Sequence, residues 1–254
     1  MPIFELRNVS LAYPLAAGER QILRDINIAL EEGEILTICG ASGTGKTSLL
    51  RILAGLTRQS GGSASFRGAS IEGPADGVAI VFQDYSNALL QWRTVAANVA
   101  FGIERRVRGN ALREQVTEAL KLVGLERNAG DYPWQLSGGM QQRVQIARAL
   151  ALKPSVLLMD EPFAALDAMT KCVLQDELLR VRDQTGASII FITHDIEEAV
   201  YLGDHVAVLR GSPSTIEATL DVGLSKPRNQ ITTREMPEFL ALRHRVYDSI
   251  GGHS

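Results

Sequence analysis

The octapeptide GASGTGKT at residues 40–47 follows directly on the apolar run EILTIC and leads straight into the apolar-periodic stretch Thr47 to Leu56. A buried strand, a glycine-rich loop and an amphipathic helix in that order form the opening unit of a parallel α/β sheet. Gly40, Gly43 and Gly45 allow positive φ angles and close approach of a ligand, so successive N–H groups make an anion nest beside a helix N-terminus. The fixed positions match the spacing GxxxxGK[ST] of phosphate-cradling loops, in the strand-to-helix setting that spacing requires. Gly40, Ala41, Ser42, Gly43, Thr44, Gly45, Lys46, Thr47 and Ser48 are therefore candidate phosphate contacts. Lys46 is suited to neutralise β- and γ-phosphates and the Thr47 hydroxyl to ligate Mg²⁺. A glycine-rich turn without a ligand is the alternative, and a second motif weighs against it.

That motif is VLLMDEP, Val156 to Pro162, an apolar strand ending in two adjacent carboxylates. Uncompensated acids at such a position are costly unless a cation meets them. Asp160 would hold Mg²⁺ through its water shell, and Glu161 would polarise the water that attacks the γ-phosphate.

The remaining pattern extends the sheet. Ile3 to Leu11 and Gln21 to Leu30 alternate like strands, with Gly18 and Glu19 read as a turn, and form an antiparallel β region. Short apolar runs at Val78 to Phe82, Val156 to Asp160 and Ser188 to Thr193 supply parallel strands, with helices at Met169 to Asp183 and Ile196 to Leu202. Asn87 to Leu152 shows helical patterns, including Leu112 to Val123 and Gly139 to Leu152, and no strand. Beyond Arg210 the signal weakens until Phe239, Leu242, Val246 and Ile250, spaced like one face of a terminal helix.

Composition removes several function classes. With 45% hydrophobic and 22% charged residues the chain has the makings of a sizeable core. A formal charge of −3 gives no global field to hold nucleic acid, and the basic cluster Arg105, Arg106 and Arg108 reads as a solvated helix face. No apolar run approaches the length of a spanning helix, and the N-terminal residues lack the pattern of a signal peptide. Cys39 and Cys172 show no metal or disulfide spacing and read as small apolar residues.

Between the two motifs lies LSGGMQQRVQIARAL, Leu136 to Leu150. Ser137 is placed to cap a helix, and Gly138 and Gly139 leave N–H groups bare at its start, a second anion site. A capped helix with no ligand is the competing reading. This segment resembles the signature that separates ABC-family ATPases from other P-loop proteins, with Met140 where the family most often has Gln. The resemblance runs from about Phe4 to Leu209. It implies a P-loop NTPase core with a parallel sheet, an N-terminal antiparallel β region and a helical insert. The expected layout is one ATPase domain over residues 1–210, with an α/β core at 1–86 and 153–210, a helical subdomain at 87–152, and an extension at 211–254 ending in a helix.

By the same resemblance Gln83 is the glutamine that senses Mg²⁺ and touches a membrane subunit, and His194 the histidine that contacts the γ-phosphate. Ala165, Leu166 and Asp167 match the segment that communicates across a dimer. Tyr13 falls where an aromatic ring stacks on adenine, or is a loop or core tyrosine. The resemblance further implies ATP and Mg²⁺ as ligands and a head-to-tail dimer in which Ser137, Gly138 and Gly139 serve the partner's nucleotide. The pair would be identical copies at the cytoplasmic face of the cell membrane, joined to permease subunits and indirectly to a solute-binding protein. ALLQWRTVAANVAFGIE, Ala88 to Glu104, and SKPRNQ, Ser225 to Gln230, resemble segments of importer ATPases for nitrate, taurine and aliphatic sulfonates. Trp92 is then an interface anchor or a core aromatic. An ABC-type ATPase acting on nucleic acid or ribosomes is the alternative function; it predicts long coiled coils or a second ATPase unit, and neither pattern occurs here.

Overall fold

A computed structural model describes residues 2–15, 18–83 and 88–251. The chain divides into two compact units, Met1–Asp76 with Gly186–Ser254, and Gly77–Thr185. The first unit holds β1 (Phe4–Leu15), β2 (Gly18–Leu30), β3 (Ile35–Cys39), α1 (Lys46–Leu53), β4 (Gly61–Phe66) and β5 (Ala69–Ser70). The second holds β6 (Val78–Val81), α2 (Val95–Ala100), α3 (Gly109–Leu122), α4 (Gly138–Leu150), β7 (Val156–Asp160) and α5 (Ala168–Thr185). The chain then returns to the first unit with β8 (Ser188–Thr193), α6 (Ile196–Leu202), β9 (His205–Gly211), β10 (Ser214–Asp221) and α7 (Pro237–Ile250).

Strands of the first unit lie in the order β5-β4-β1-β2-β10-β9-β3-β8. β3 and β8 are buried at every position, which is why both read as largely apolar runs rather than alternating ones. β3 pairs in parallel with both β8 and β9. The β1–β2 pair is antiparallel and continues to Tyr13 opposite Arg20 and Leu15 opposite Gly18. Gly18 and Glu19, expected in a turn, therefore start a strand, because ladder pairing continues on backbone groups where the side chains are polar and exposed. β4, β5, β9 and β10 are additions to the expected strands; β9 is buried from Val206 to Leu209 but offers an apolar run of only four residues. In β10 only Ser214 and Leu220 are buried, so no apolar run marks it, and its register comes from β9. At α7, Phe239, Leu242 and Val246 face inward as their spacing indicates.

In the second unit β6 and β7 pair in parallel. Among the described residues of 88–152 the structure has α2, α3, α4 and two 3-10 turns at Glu126–Asn128 and Pro133–Gln135, with no strand. The expected boundary at residues 86 and 87 lies outside the described residues.

Candidate functional site

In the first unit, β3 ends at Cys39 and the chain turns through the glycine loop into α1. Gly43 and Gly45 both sit at φ 83°, the left-handed region that side chains disfavour. Gly40 serves for a different reason from the one expected: its φ is not positive, but an added Cβ would lie 2.4 Å from the Leu209 carbonyl oxygen. Gly45 is the N-cap of α1 and provides no side-chain cap, so the first amides of the helix keep their donors for a ligand. Lys46 is only 5% exposed, and its Nζ donates to the Gly40 and Ala41 carbonyls, each at 2.9 Å. A buried ammonium needs such partners, and these two carbonyls of the loop supply them. Thr44 Oγ1 donates to the Ala41 carbonyl at 2.9 Å, while the Thr47 side chain stays exposed. Tyr13, 38% exposed, lies on the β1–β2 ladder opposite Arg20, in the strand pair whose Ile22 and Leu23 side chains lie nearest Gly45. It is not a core tyrosine. Cys39 is buried and its thiol is pushed up to about 12 by desolvation, against a smaller downward pull from Lys46, so it is unreactive.

Register brings a second group to the same edge. Cys39 lies opposite Thr193 in the parallel β3–β8 pair, so the glycine loop and His194 leave the sheet side by side. His194 is exposed. The turn that carries it is tied on both sides: the Thr193 hydroxyl donates to the Glu198 carboxylate and accepts from the Asp195 N–H at 3.0 Å. Asp195 then caps α6, accepting from the N–H groups of Glu197 and Glu198.

The second unit holds the acidic strand end. Val81 lies opposite Met159 in the β6–β7 pair, so Gln83 and the Asp160–Glu161 pair emerge at one strand edge. Asp160 is 6% exposed. Glu161 has φ 42°, a conformation rare for a side-chain-bearing residue and one that concentrates at functional positions. Ser137 is the N-cap of α4 and accepts from the Met140 N–H at 3.4 Å. A Cβ on Gly139 would lie 2.5 Å from Thr170 Cγ2, so close packing against α5 requires glycine there. Asp167 caps the neighbouring turn by accepting from the Thr170 N–H at 3.0 Å. Hydrogen bonds from the Thr170 backbone and hydroxyl hold its carboxyl below the usual range.

Some supporting residues carry no motif and escape sequence reading. Asn98 is fully buried; it accepts from the Leu90 N–H and donates to the carbonyls of Leu90, Arg93 and Thr94, fixing the loop that presents Trp92. Trp92 is 75% exposed, which excludes the core alternative. Arg143 lies inside the Leu136 to Leu150 motif, but its partner does not: it pairs with Glu177 at 3.0 Å and ties α4 to α5. Among the described residues no helix is long and apolar enough to cross a membrane. There is also no cluster of three or more His, Cys, Asp or Glu side chains able to hold a metal.

Comparison with known proteins places this arrangement. Residues 23–164 match the family model described as ABC transporter. An aliphatic sulfonates import ATP-binding protein of Xanthomonas axonopodis pv. citri is 47% identical over 84% of each chain. A taurine import ATP-binding protein of Escherichia coli O157:H7 is 41% identical over 92% of each. The solved dimeric post-hydrolysis structure of the ATP-binding cassette MJ0796, bound to ADP and Pi, superposes with a TM-score of 0.75 at 30% identity, covering 86% of this chain and 98% of that one. With a matched model over more than half its length and relatives of this identity matched over 84% and 92% of both chains, the chain belongs to the ABC transporter family.

Proposed function

We propose that this chain is the ATP-binding and ATP-hydrolysing subunit of an importer, and that it works as a head-to-tail pair beneath permease subunits. The observation that carries the reading is the Lys46 ammonium, buried and held by the Gly40 and Ala41 carbonyls on a loop whose helix has no side-chain cap. Those features suit an anion such as the phosphates of a nucleotide. The similarity to sulfonate and taurine import proteins supports an importer of small oxidised anions: aliphatic sulfonates, taurine or nitrate. Peripheral attachment at the cytoplasmic face, through the exposed Trp92 loop and Gln83 to the permease, follows from the same reading, with a solute-binding protein outside.

The assigned roles are these. Lys46 and the loop amides bind and orient the phosphates. Glu161 polarises the attacking water and takes its proton, and His194 contacts the γ-phosphate. Tyr13 stacks on the base; Ser137, Gly138 and Gly139 meet the partner's nucleotide. Mg²⁺, when bound, supplies charge neutralisation at the β- and γ-oxygens. The Thr47 hydroxyl, the Asp160 carboxylate and the Gln83 amide would hold it, an oxygen donor set of the sparse kind this ion takes alongside water and phosphate. Action on nucleic acid or ribosomes is not favoured: the longest described helix, α5, has 18 residues, far from a coiled-coil insertion.

Glu161→Gln tests the assignment. Hydrolysis should disappear while Mg-ATP binding persists, and light scattering should show a dimer that forms with ATP and does not dissipate. Turnover at the parental rate would remove Glu161 from the chemistry.

A further inference from the structure

The residues after β10 fold back onto segment 195–204, which follows His194, and grip it with four cations. Lys226 Nζ reaches Asp204 Oδ1 at 2.6 Å. Arg228 donates to the Tyr201 carbonyl at 2.7 Å. Arg234 donates to Glu197 Oε2 at 2.8 Å and lies over the ring of Tyr201 at 5.0 Å. Arg243, on α7, takes the other carboxylate oxygen, Glu197 Oε1, at 3.0 Å. A cleft of about 530 Å³ separates α7 from the histidine turn, with Arg243, His244 and Tyr247 on one side and His194 and Glu197 on the other.

Magnitude separates two uses for this arrangement. Glu197 is 43% exposed and Arg243 37%, and ion pairs at such exposure add little to stability. Geometry is the better use. α6 has seven residues and is anchored by burial from Glu198 to Leu202, which leaves the opening of its first turn, where Glu197 stands three residues after His194, to be held by polar contacts. Two guanidinium groups on opposite oxygens of one carboxylate fix that turn, and through it the direction in which the imidazole leaves β8. Resting on the ATPase reading above, we infer that Arg234 and Arg243 are positioning residues for His194, so that the C-terminal extension sets the rate of hydrolysis without touching nucleotide.

The experiment compares ATPase kinetics of the full chain with R234Q/R243Q, H194A and the triple variant. The arginine pair should lower kcat between about 10- and 100-fold, the range expected when a reacting group is misplaced by an ångström or less. KM for ATP and the melting temperature should stay near parental values. In the H194A background the same arginine changes should have no further effect on kcat. R234K/R243K keeps the charges but not the forked geometry, and should fall between parent and glutamine pair; it carries the test if the glutamine pair does not fold. An unchanged kcat, or an equal drop with and without His194, would overturn the inference while leaving the ATPase reading intact. Normal turnover in H194A would instead remove the role of His194, and the positioning role with it.

Discussion

Alanine at Gly43 and at Gly45 gives a matched pair of perturbations of the phosphate loop. Both positions have φ 83°, where a side chain costs about 1–2 kcal/mol. Replacing glycine returns about 0.4–1 kcal/mol by restricting the unfolded chain, so the net cost of the backbone alone is about 1 kcal/mol. Gly43→Ala should show only that, since no atom lies within 4 Å of the added Cβ. Gly45→Ala adds an overlap, because its Cβ would sit 2.7 Å from Ile22 Cγ2. Ile22 is β-branched and stiff at χ1, and moving it off its rotamer adds about 1 kcal/mol. Strain kept in the free protein lowers the melting temperature by about 2–4 °C per kcal/mol; strain relieved by opening the loop appears as lost ATP affinity. The sum of the two should be about 1 kcal/mol for Gly43→Ala and about 2 for Gly45→Ala, equivalent to roughly 5-fold and 30-fold in affinity if all of it appears there. Calorimetric titration with Mg-ATP and thermal melts read both quantities. Equal costs at the two positions would refute the packing argument at Ile22, and undiminished affinity with unchanged melting in both would refute the phosphate loop itself.

Ser137→Arg should leave ATP binding by the monomer intact yet prevent ATP-driven dimerisation and abolish turnover, because a bulky cation replaces the cap at the start of α4; a variant that still dimerises would contradict the trans role. His205 offers a pH test. Burial lowers its pKa, but hydrogen bonds and charge from Asp221 at 2.8 Å and Glu34 at 3.4 Å outweigh this and raise it above the ordinary 6.5. A folded-state value above the unfolded one means that stabilisation is complete below 6.5 and disappears as pH rises through the raised value. The stability difference between parent and His205→Gln, from urea unfolding at successive pH values, should therefore shrink with rising pH, and a difference that grew would reverse the sign of the argument.

The glycine loop, the acidic strand end and the helix cap at Ser137 were legible because each is a local pattern whose chemistry is carried by adjacent residues. The residues that hold those groups in place were not. Asn98 reads as one more polar residue in VAANVA until its four backbone partners are seen. Glu197 reads as a solvated acid until Arg234 and Arg243, from 37 and 46 residues away, close on it. Gly40 carries no sign of why it must be glycine, since the obstructing carbonyl belongs to Leu209.

Sequence alone determined most of the buried strands and helices and the capped start of α4, and it carries the proposal of which residues meet phosphate, because periodicity and short-range stereochemistry act within a few residues. Tertiary structure decided the register that sets Cys39 against Thr193 and Val81 against Met159, the strand status of the polar β10, the exposure of Trp92, and the clasp of the C-terminal extension on α6. Those depend on contacts between residues far apart in the chain, whose free energy is settled only when all the packing partners are in place.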